Sequence, residues 1–486
     1  MREPVSISQK TAAGLFWSFS DLLANQGIQF AIQLVLARLL LPEDFGLIGM
    51  ITIFIAISTS IIDSGFSQAL IREQEAKQED FSTVFFFNLA MACGLYIILF
   101  FSAPLIGDFF REPRLIAILR VLSLVLIINS FGLIQRVMLI RRIDFKTQTK
   151  ISIIASVTSG SFAIVLAYFG FGVWSLVIRT LVLQFLIALM LSLSNRWGLS
   201  LAFSIRSFRR LFGFGSRLLI SGLLNTIYSN IYYVVIGRFF SATDLGYFTN
   251  GNKLEEMASQ AVTMSLQRVT YPILSSMQRE EERLRAGFVK IIRTSAYVNF
   301  PIMVFLAAIA EPFIGFVFGE KWLPSVPYFQ VLCLAGMLYP LHAINLNILQ
   351  VKGRSDLFLK LEILKKAILT ILIILVLSFR LGILGLVWTY AFSSYIAFFV
   401  NTIYSKELIS YSVKDQISDI LPSFLLSFSM GLLVFISGEL MPGGDLIRLA
   451  VQGAVGFIFY IGVSKVFRIK ELVELTDLAR TFIRRK

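Results

Sequence analysis

Residues 82–107 read STVFFFNLAMACGLYIILFFSAPLIG. The stretch holds no Asp, Glu, Lys, Arg or His, and its apolar residues run on without alternating. A helix rises about 1.5 Å per residue, so about 20 such residues cross the roughly 30 Å hydrocarbon core of a bilayer. Alternation would suit a membrane β-barrel; a continuous run suits a transmembrane α-helix. Similar runs recur along the 486 residues. The chain is 56% hydrophobic and only 15% charged, against about 25% charged in soluble domains. The expected fold is all-α and integral to a membrane.

Several classes of function drop out. Cys93 and Cys333 both lie inside apolar runs, so no disulfide framework is expected. His342 is the single histidine, which leaves no histidine cluster for a metal. No GxxxxGK[ST] loop is present to draw on ATP. Residues 1–10 are polar and no small-residue cleavage site follows the first run, which therefore reads as an uncleaved span.

Hydropathy places fourteen spans near 14–37, 46–70, 82–107, 115–135, 150–169, 172–194, 214–237, 247–273, 294–318, 324–350, 360–379, 382–403, 418–438 and 447–466. The loops between them are short. No outside loop exceeds about a dozen residues, so no enzyme is expected. With both termini in the cytoplasm, 34 of the 44 Lys and Arg fall inside and 8 outside. That split follows the positive-inside rule and accounts for the +14 net charge through anionic membrane lipids, without nucleic acid. Residues 203–213 and 467–486 mix apolar and basic residues and read as interfacial helices.

A shift of 200 residues aligns Arg38 with Arg238, Asp44 with Asp244, Gly46 with Gly246 and Asn25 with Asn225. Leu23 and Val35 also match, giving six identities over positions 14–47. Each half holds six spans, so both enter the membrane from the same side. The repeat is then parallel, about an axis along the membrane normal. The expected organisation is an N-lobe over 1–200, a C-lobe over 201–403, and a C-terminal part over 404–486 with two helices and a basic tail.

The first span carries Asp21, Asn25, Gln29 and Gln33 at i+4 spacing; the seventh carries Ser221, Asn225, Ser229 and Tyr233. Spacing by four keeps each set on one helix face. Polar groups in hydrocarbon are costly, so both stripes should face protein or a water-filled cavity. The eighth span adds Asn252, Glu256 and Gln260, with Glu255 alongside and Arg268 near its end. Spans 3, 6, 9 and 11 are more uniformly apolar and are expected as outer walls.

At these residues the sequence resembles the polysaccharide transporters of the colanic-acid, teichuronic-acid and O-antigen exporter type. They belong to the superfamily that also holds multidrug extruders and peptidoglycan lipid flippases. The resemblance rests on Ala37-Arg38-Leu39-Leu40-Leu41-Pro42-Glu43-Asp44-Phe45-Gly46, Asp63-Ser64-Gly65-Phe66-Ser67-Gln68-Ala69-Leu70-Ile71, Arg141-Arg142-Ile143-Asp144-Phe145-Lys146 and Gly172-Val173-Trp174-Ser175-Leu176-Val177. It continues through Ile236-Gly237-Arg238, Leu245-Gly246-Tyr247, Tyr271-Pro272-Ile273-Leu274-Ser275 and Gly319-Glu320-Lys321-Trp322-Leu323-Pro324. It implies a monomeric, two-lobed flippase of the cytoplasmic membrane that moves a polyprenyl-diphosphate-linked oligosaccharide by alternating access. Polysaccharide polymerase machinery would be a partner, and H⁺ or Na⁺ coupling would replace a cofactor. A multidrug or cation antiporter is the alternative on the same fold. Family members often carry an acid six positions before the arginine matching Arg238; here that position is Tyr232.

Candidate roles follow. A sugar headgroup needs hydroxyl and amide partners, which Asn25, Gln29, Asn225, Tyr233, Asn252 and Gln260 supply. Arg268 is the candidate for the diphosphate, because a guanidinium stays charged and grips two phosphate oxygens. Asp21, Asp63 and Glu256 are candidates for carrying a coupling ion. Arg38 with Asp44, and Arg238 with Asp244, read as helix-end caps or ion pairs. Arg120 and Arg179 lie within spans and are expected to face the interior or pair with an acid. His342 reads as a satisfied core residue.

The charge split fixes a testable topology. Cysteines placed at Asp144 and Glu112 should be labelled by an impermeant thiol reagent from opposite sides of the membrane. Labelling of both from one side contradicts the span count.

Overall fold

The computed structural model describes residues 24–73, 75–195 and 200–484, and among them every regular element is a helix. Packing separates a first unit ending at Thr249 from a second beginning at Asn250. The first unit contains α1 (residues 24–39), α2 (Pro42–Asp63), α3 (Phe66–Arg72), α4 (Gln78–Phe110), α5 (Arg114–Leu122), α6 (Leu124–Arg141), α7 (Phe145–Tyr168), α8 (Val173–Ser194), α9 (Ile205–Ser229) and α10 (Ile231–Phe239). The boundary falls inside α11 (Ala242–Ser276). The second unit continues with α12 (Glu281–Ala308), α13 (Ala310–Phe318), a 3₁₀ turn (Glu320–Ser325), α14 (Val326–Gly336), α15 (Tyr339–Val351) and α16 (Ser355–Ser378). It ends with α17 (Gly382–Thr402), α18 (Ser405–Ile409), α19 (Val413–Leu440), α20 (Asp445–Val466) and α21 (Lys470–Arg484).

Local chemistry sets the helix ends. Leu41 is extended, Pro42 opens α2, and the Asp44 carboxylate accepts from the Leu41 amide at 3.0 Å. Proline suits a first helical position because that amide lacks an intrahelical partner anyway. At the far end Ser64 and Gly65 adopt left-handed φ of 43° and 72°, which turns the chain into α3. Asp244 repeats the Asp44 arrangement, accepting from the Ser241 amide at 3.3 Å and the Ser241 hydroxyl at 2.7 Å. Both aspartates are therefore caps.

Ten helices among the described residues are long and apolar enough to cross a bilayer, or eleven when α10 and the adjoining part of α9, bent by 40°, count as one broken span. The chain is a multi-pass membrane protein. The other expected spans fall on α1, α11 and α16. The last two are helical over their expected ranges up to Ser378 but more charged, with Lys253, Glu255 and Glu256 on α11 and Lys360, Glu362, Lys365 and Lys366 on α16, so span 11 departs from the uniformly apolar wall expected of it. Phe101, Leu193 and Phe457 are each more than 70% exposed, as expected of side chains that contact lipid rather than water. Residues 203–213 differ from the expected separate interfacial helix: from Ile205 onward they are the first turns of α9, continuous with the span. Residues 470–484 do form a separate helix.

In the first unit α7 packs on α8, α6 on α8, and α2 on α4, α9 and α10. Phe66, Leu70, Phe81, Val84 and Leu211 close one apolar core. In the second, α12 packs along α19, and α19 on α20. There the Tyr460 hydroxyl donates to the Tyr297 carbonyl at 2.6 Å and the Tyr297 hydroxyl to Ser464 Oγ at 2.8 Å.

One crossing in the first unit is reciprocal. A Cβ on Gly46 would strike the Ala242 carbonyl, and a Cβ on Gly246 would strike the Pro42 carbonyl. Gly49 faces Thr249 in the same seam. Under the 200-residue shift the Gly46–Ala242 and Gly246–Pro42 contacts exchange with each other, and the Gly49–Thr249 contact maps onto itself. Only glycine lets two backbones approach so closely. Gly46→Leu should overpack the crossing and cost about 1–3 kcal/mol, read as a lower melting temperature in detergent. Unchanged stability contradicts the close approach.

Candidate functional site

The polar stripe of α1 meets partners on α7 and α8. Asn25 Nδ2 donates to Ser152 Oγ at 2.6 Å, and Ser156 Oγ donates to Asn25 Oδ1 at 3.2 Å. Gln29 Nε2 donates to Ser156 Oγ at 3.2 Å, and the Arg179 guanidinium donates to Gln29 Oε1. Gly160, one turn beyond Ser156, has no side chain to keep Ile32 of α1 away. That close approach brings the serine hydroxyls within reach of the α1 amides. Gln33 is buried, whereas Asn25, Gln29 and Arg179 are half-buried. The cluster is thus a cation, two carboxamides and two hydroxyls, of which Ser156 is buried and the rest are half-buried.

On α9, Ser221, Asn225 and Ser229 all lie exposed along one face. Tyr233 follows on α10, its ring edge-on to Phe248 at 5.8 Å. The bend between α9 and α10 is held by Asn230, whose Nδ2 donates to the Thr226 carbonyl at 2.8 Å. Thr226 Oγ1 lies 3.0 Å from Ser60 Oγ of α2. In the second unit Asn252 Nδ2 donates to Glu256 Oε1 at 2.9 Å, with half-buried Gln260 one turn on. Asn25 and Gln29 thus share one cluster, and Asn252 and Glu256 another.

The remaining candidates divide. Asp21 and the side chain of Arg268 lie outside the described residues. Asp63 is half-buried and its carboxylate accepts from the Ser67 amide at 3.2 Å, so it fastens the first turn of α3. Arg120 donates to the Phe100 carbonyl at 3.2 Å and lies over the Phe100 ring. Of the two expected alternatives, an interior setting or an acid partner, Arg120 and Arg179 show the first, bonding a carbonyl and an amide. Arg238 lies over the Phe109 ring. His342 is satisfied as expected, its Nε2 3.0 Å from Ser394 Oγ. Outside the spans, Arg114 bonds both Glu112 and Glu43, and its hydrogen bonds hold the Glu112 carboxyl below the usual carboxylate range.

Sequence reasoning missed Ser152 and Ser156. Their signal was present: two small polar residues four apart in a span that also carries Thr158, Ser159 and Ser161. It noticed Arg179 as facing the interior or pairing with an acid, without finding Gln29 as its partner.

Comparison with known proteins gives the family and the fold. A family model described as polysaccharide biosynthesis protein matches residues 35–327. The chain is 28% identical over 469 residues to the teichuronic acid biosynthesis protein TuaB of Bacillus subtilis, covering 94% of this chain and 95% of that one. It is 24% identical over 477 residues to the lipopolysaccharide biosynthesis protein WzxC of Escherichia coli, covering 95% of each. Among solved structures, the lipid II flippase MurJ in its inward closed conformation superposes with a TM-score of 0.73 at 15% identity, covering 95% of this chain and all of that one. An inward-facing multidrug transporter of the MATE family gives 0.60 at 16% identity, covering 81% and 96%. These two share the fold.

Gln29→Leu should leave the Arg179 guanidinium without its acceptor and cost about 2 kcal/mol of stability. Arg179→Met on the Gln29→Leu background should recover most of that loss. Strictly additive losses in thermal unfolding contradict the pairing.

Proposed function

The chain belongs to that family of polysaccharide biosynthesis proteins, and on this premise we propose that it flips a polyprenyl-diphosphate-linked oligosaccharide across the cytoplasmic membrane by alternating access. The observation that carries the reading is the polar cluster in which half-buried Arg179, Gln29, Asn25 and Ser152 meet buried Ser156. A diphosphate needs a fixed cation, and a guanidinium offers a planar fork to two of its oxygens. Sugar hydroxyls need donors and acceptors together, which carboxamides and serines provide. The names of the relatives, with their teichuronic acid and lipopolysaccharide products, support the same class of cargo. A cavity for cationic drugs would want a free acid, and the partners seen in this cluster include none.

In this reading the spans number fourteen, with both termini cytoplasmic. Residues 1–200 and 201–403 form parallel repeats, followed by two further helices and a basic tail. The reciprocal crossing of Gly46 and Gly246 supports the repeat and supplies a pivot. Asn225, Tyr233, Asn252 and Gln260 line the path with Asn25 and Gln29. Arg268 receives the diphosphate first at the cytoplasmic mouth, and Arg179 holds it inside. Asp21, Asp63 and Glu256 are the carboxylates proposed for ion coupling. The chain works as a monomer that passes its cargo to polymerase machinery.

Deleting the gene should leave lipid-linked glycan inside the cell and deplete surface polysaccharide. Arg179→Ala should fail to restore export, since losing a charge-assisted bond of about 2 kcal/mol weakens binding about thirtyfold. Arg179→Lys should restore it in part. Undiminished surface polysaccharide in the deletion strain, with drug sensitivity instead, would favour the multidrug alternative.

A further inference from the structure

The break between α14 and α15 gathers polar groups that the transport path does not use. Pro340 has no amide hydrogen, so the carbonyl four residues earlier, on Gly336, loses its helical partner. Asn299 of α12 fills the gap: its Nδ2 donates to the Gly336 and Met337 carbonyls, each at 2.9 Å. Asn299 is 0% exposed, and its Oδ1 has no hydrogen-bond partner. A buried, unpartnered amide oxygen is costly and asks for a donor or a cation.

The other side of Gly336 holds a carboxyl. Glu255 of α11 is 3% exposed, and its Oε1 lies where a Gly336 side chain would begin. The glycine is a cradle that any larger residue would fill. The titratable groups acting on Glu255 are Glu256 on its own helix, Cys333 on α14 and Tyr339 on α15. None is a base. A carboxylate here would lack a counter-charge in a low-dielectric interior, at a cost of several kcal/mol. A proton or a bound monovalent cation removes that charge.

We infer that the break at Gly336 is a monovalent-cation site, in which Glu255 carries a proton and Asn299, bonded to the carbonyl of the same glycine, leaves its Oδ1 as a free acceptor. This rests on the transport reading, since protonation matters only if access to the site changes during the cycle. In that cycle Glu255 releases its proton when water reaches α11 from one side and regains one from the other. No bond other than O–H is made or broken. A broken helix beside a buried acid is a setting in which membrane transporters hold coupling ions. Glu255 thus joins Glu256 on the same helix, but on the buried face rather than the path.

The test uses the full-length protein in detergent and dicyclohexylcarbodiimide, an apolar reagent that reacts with protonated carboxyls. Mass spectrometry should find Glu255 modified at pH 7, less so at pH 9, and unaffected by Na⁺. Protection by Na⁺ at constant pH would identify Na⁺ as the site's cation and overturn the proton assignment. An unmodified Glu255 across that range would overturn the site itself, whatever the transport assays show. In proteoliposomes, Glu255→Gln mimics the neutral carboxyl, so it should fold, and unfold at the wild-type temperature. An inward or outward pH gradient that speeds the wild type severalfold should leave this variant unchanged. A variant still driven by the gradient contradicts the inference, while flipping absent from every preparation would contradict the transport reading alone.

Discussion

Hydrocarbon offers a polar group no water, so each one must find its partner within the protein. The features that distinguish this chain from a plain bundle of apolar helices answer that demand. The Gly336 carbonyl, freed by Pro340, is met by Asn299 from the next helix. The Arg179 guanidinium, placed inside a span, is met by Gln29. Asn25 and Gln29 in turn meet Ser152 and Ser156. A polar residue that costs stability in a membrane persists where it does work, which is why these clusters rather than the apolar surface locate the function.

The crossing of Pro42–Gly46 with Ala242–Gly246 is a second constraint, set by close backbone approach. Two backbones in contact through glycine present little side-chain bulk to resist a change of angle. The same segment starts two of the polar helix systems, α2 and α11, each capped by its own aspartate. Caps hold the helix starts, and the glycines between them leave the crossing free of interlocking side chains.

Much of this was legible in the sequence because membrane spanning imposes simple rules. Continuous apolar runs gave the helical fold, and the 200-residue shift picked out Gly46, Gly246, Asp44 and Asp244 before any contact was visible. Boundaries at α9 and α11 were harder. The basic start of α9 reads as an interfacial segment because its Arg and Phe residues alternate faces, yet nothing breaks the helix before Asn230. On α11, charge and length compete, and hydropathy alone cannot weigh a buried Glu255 against its partners. Arg179 was visible, but its partner lay 150 residues away and carried no charge. The Gly336 cradle was hidden for a related reason: no local pattern pairs a glycine on α14 with a glutamate on α11.

The central claim is that this chain moves a lipid-linked headgroup through its interior. It is tested most directly by reconstituting the purified protein into vesicles that contain a polyprenyl-diphosphate oligosaccharide in both leaflets. A membrane-impermeant glycosidase is then added outside. With the protein present, the account predicts cleavage of nearly all headgroups, as those of the inner leaflet are brought out. Cleavage that stops at the outer-leaflet fraction, equal to that of protein-free vesicles, would contradict it.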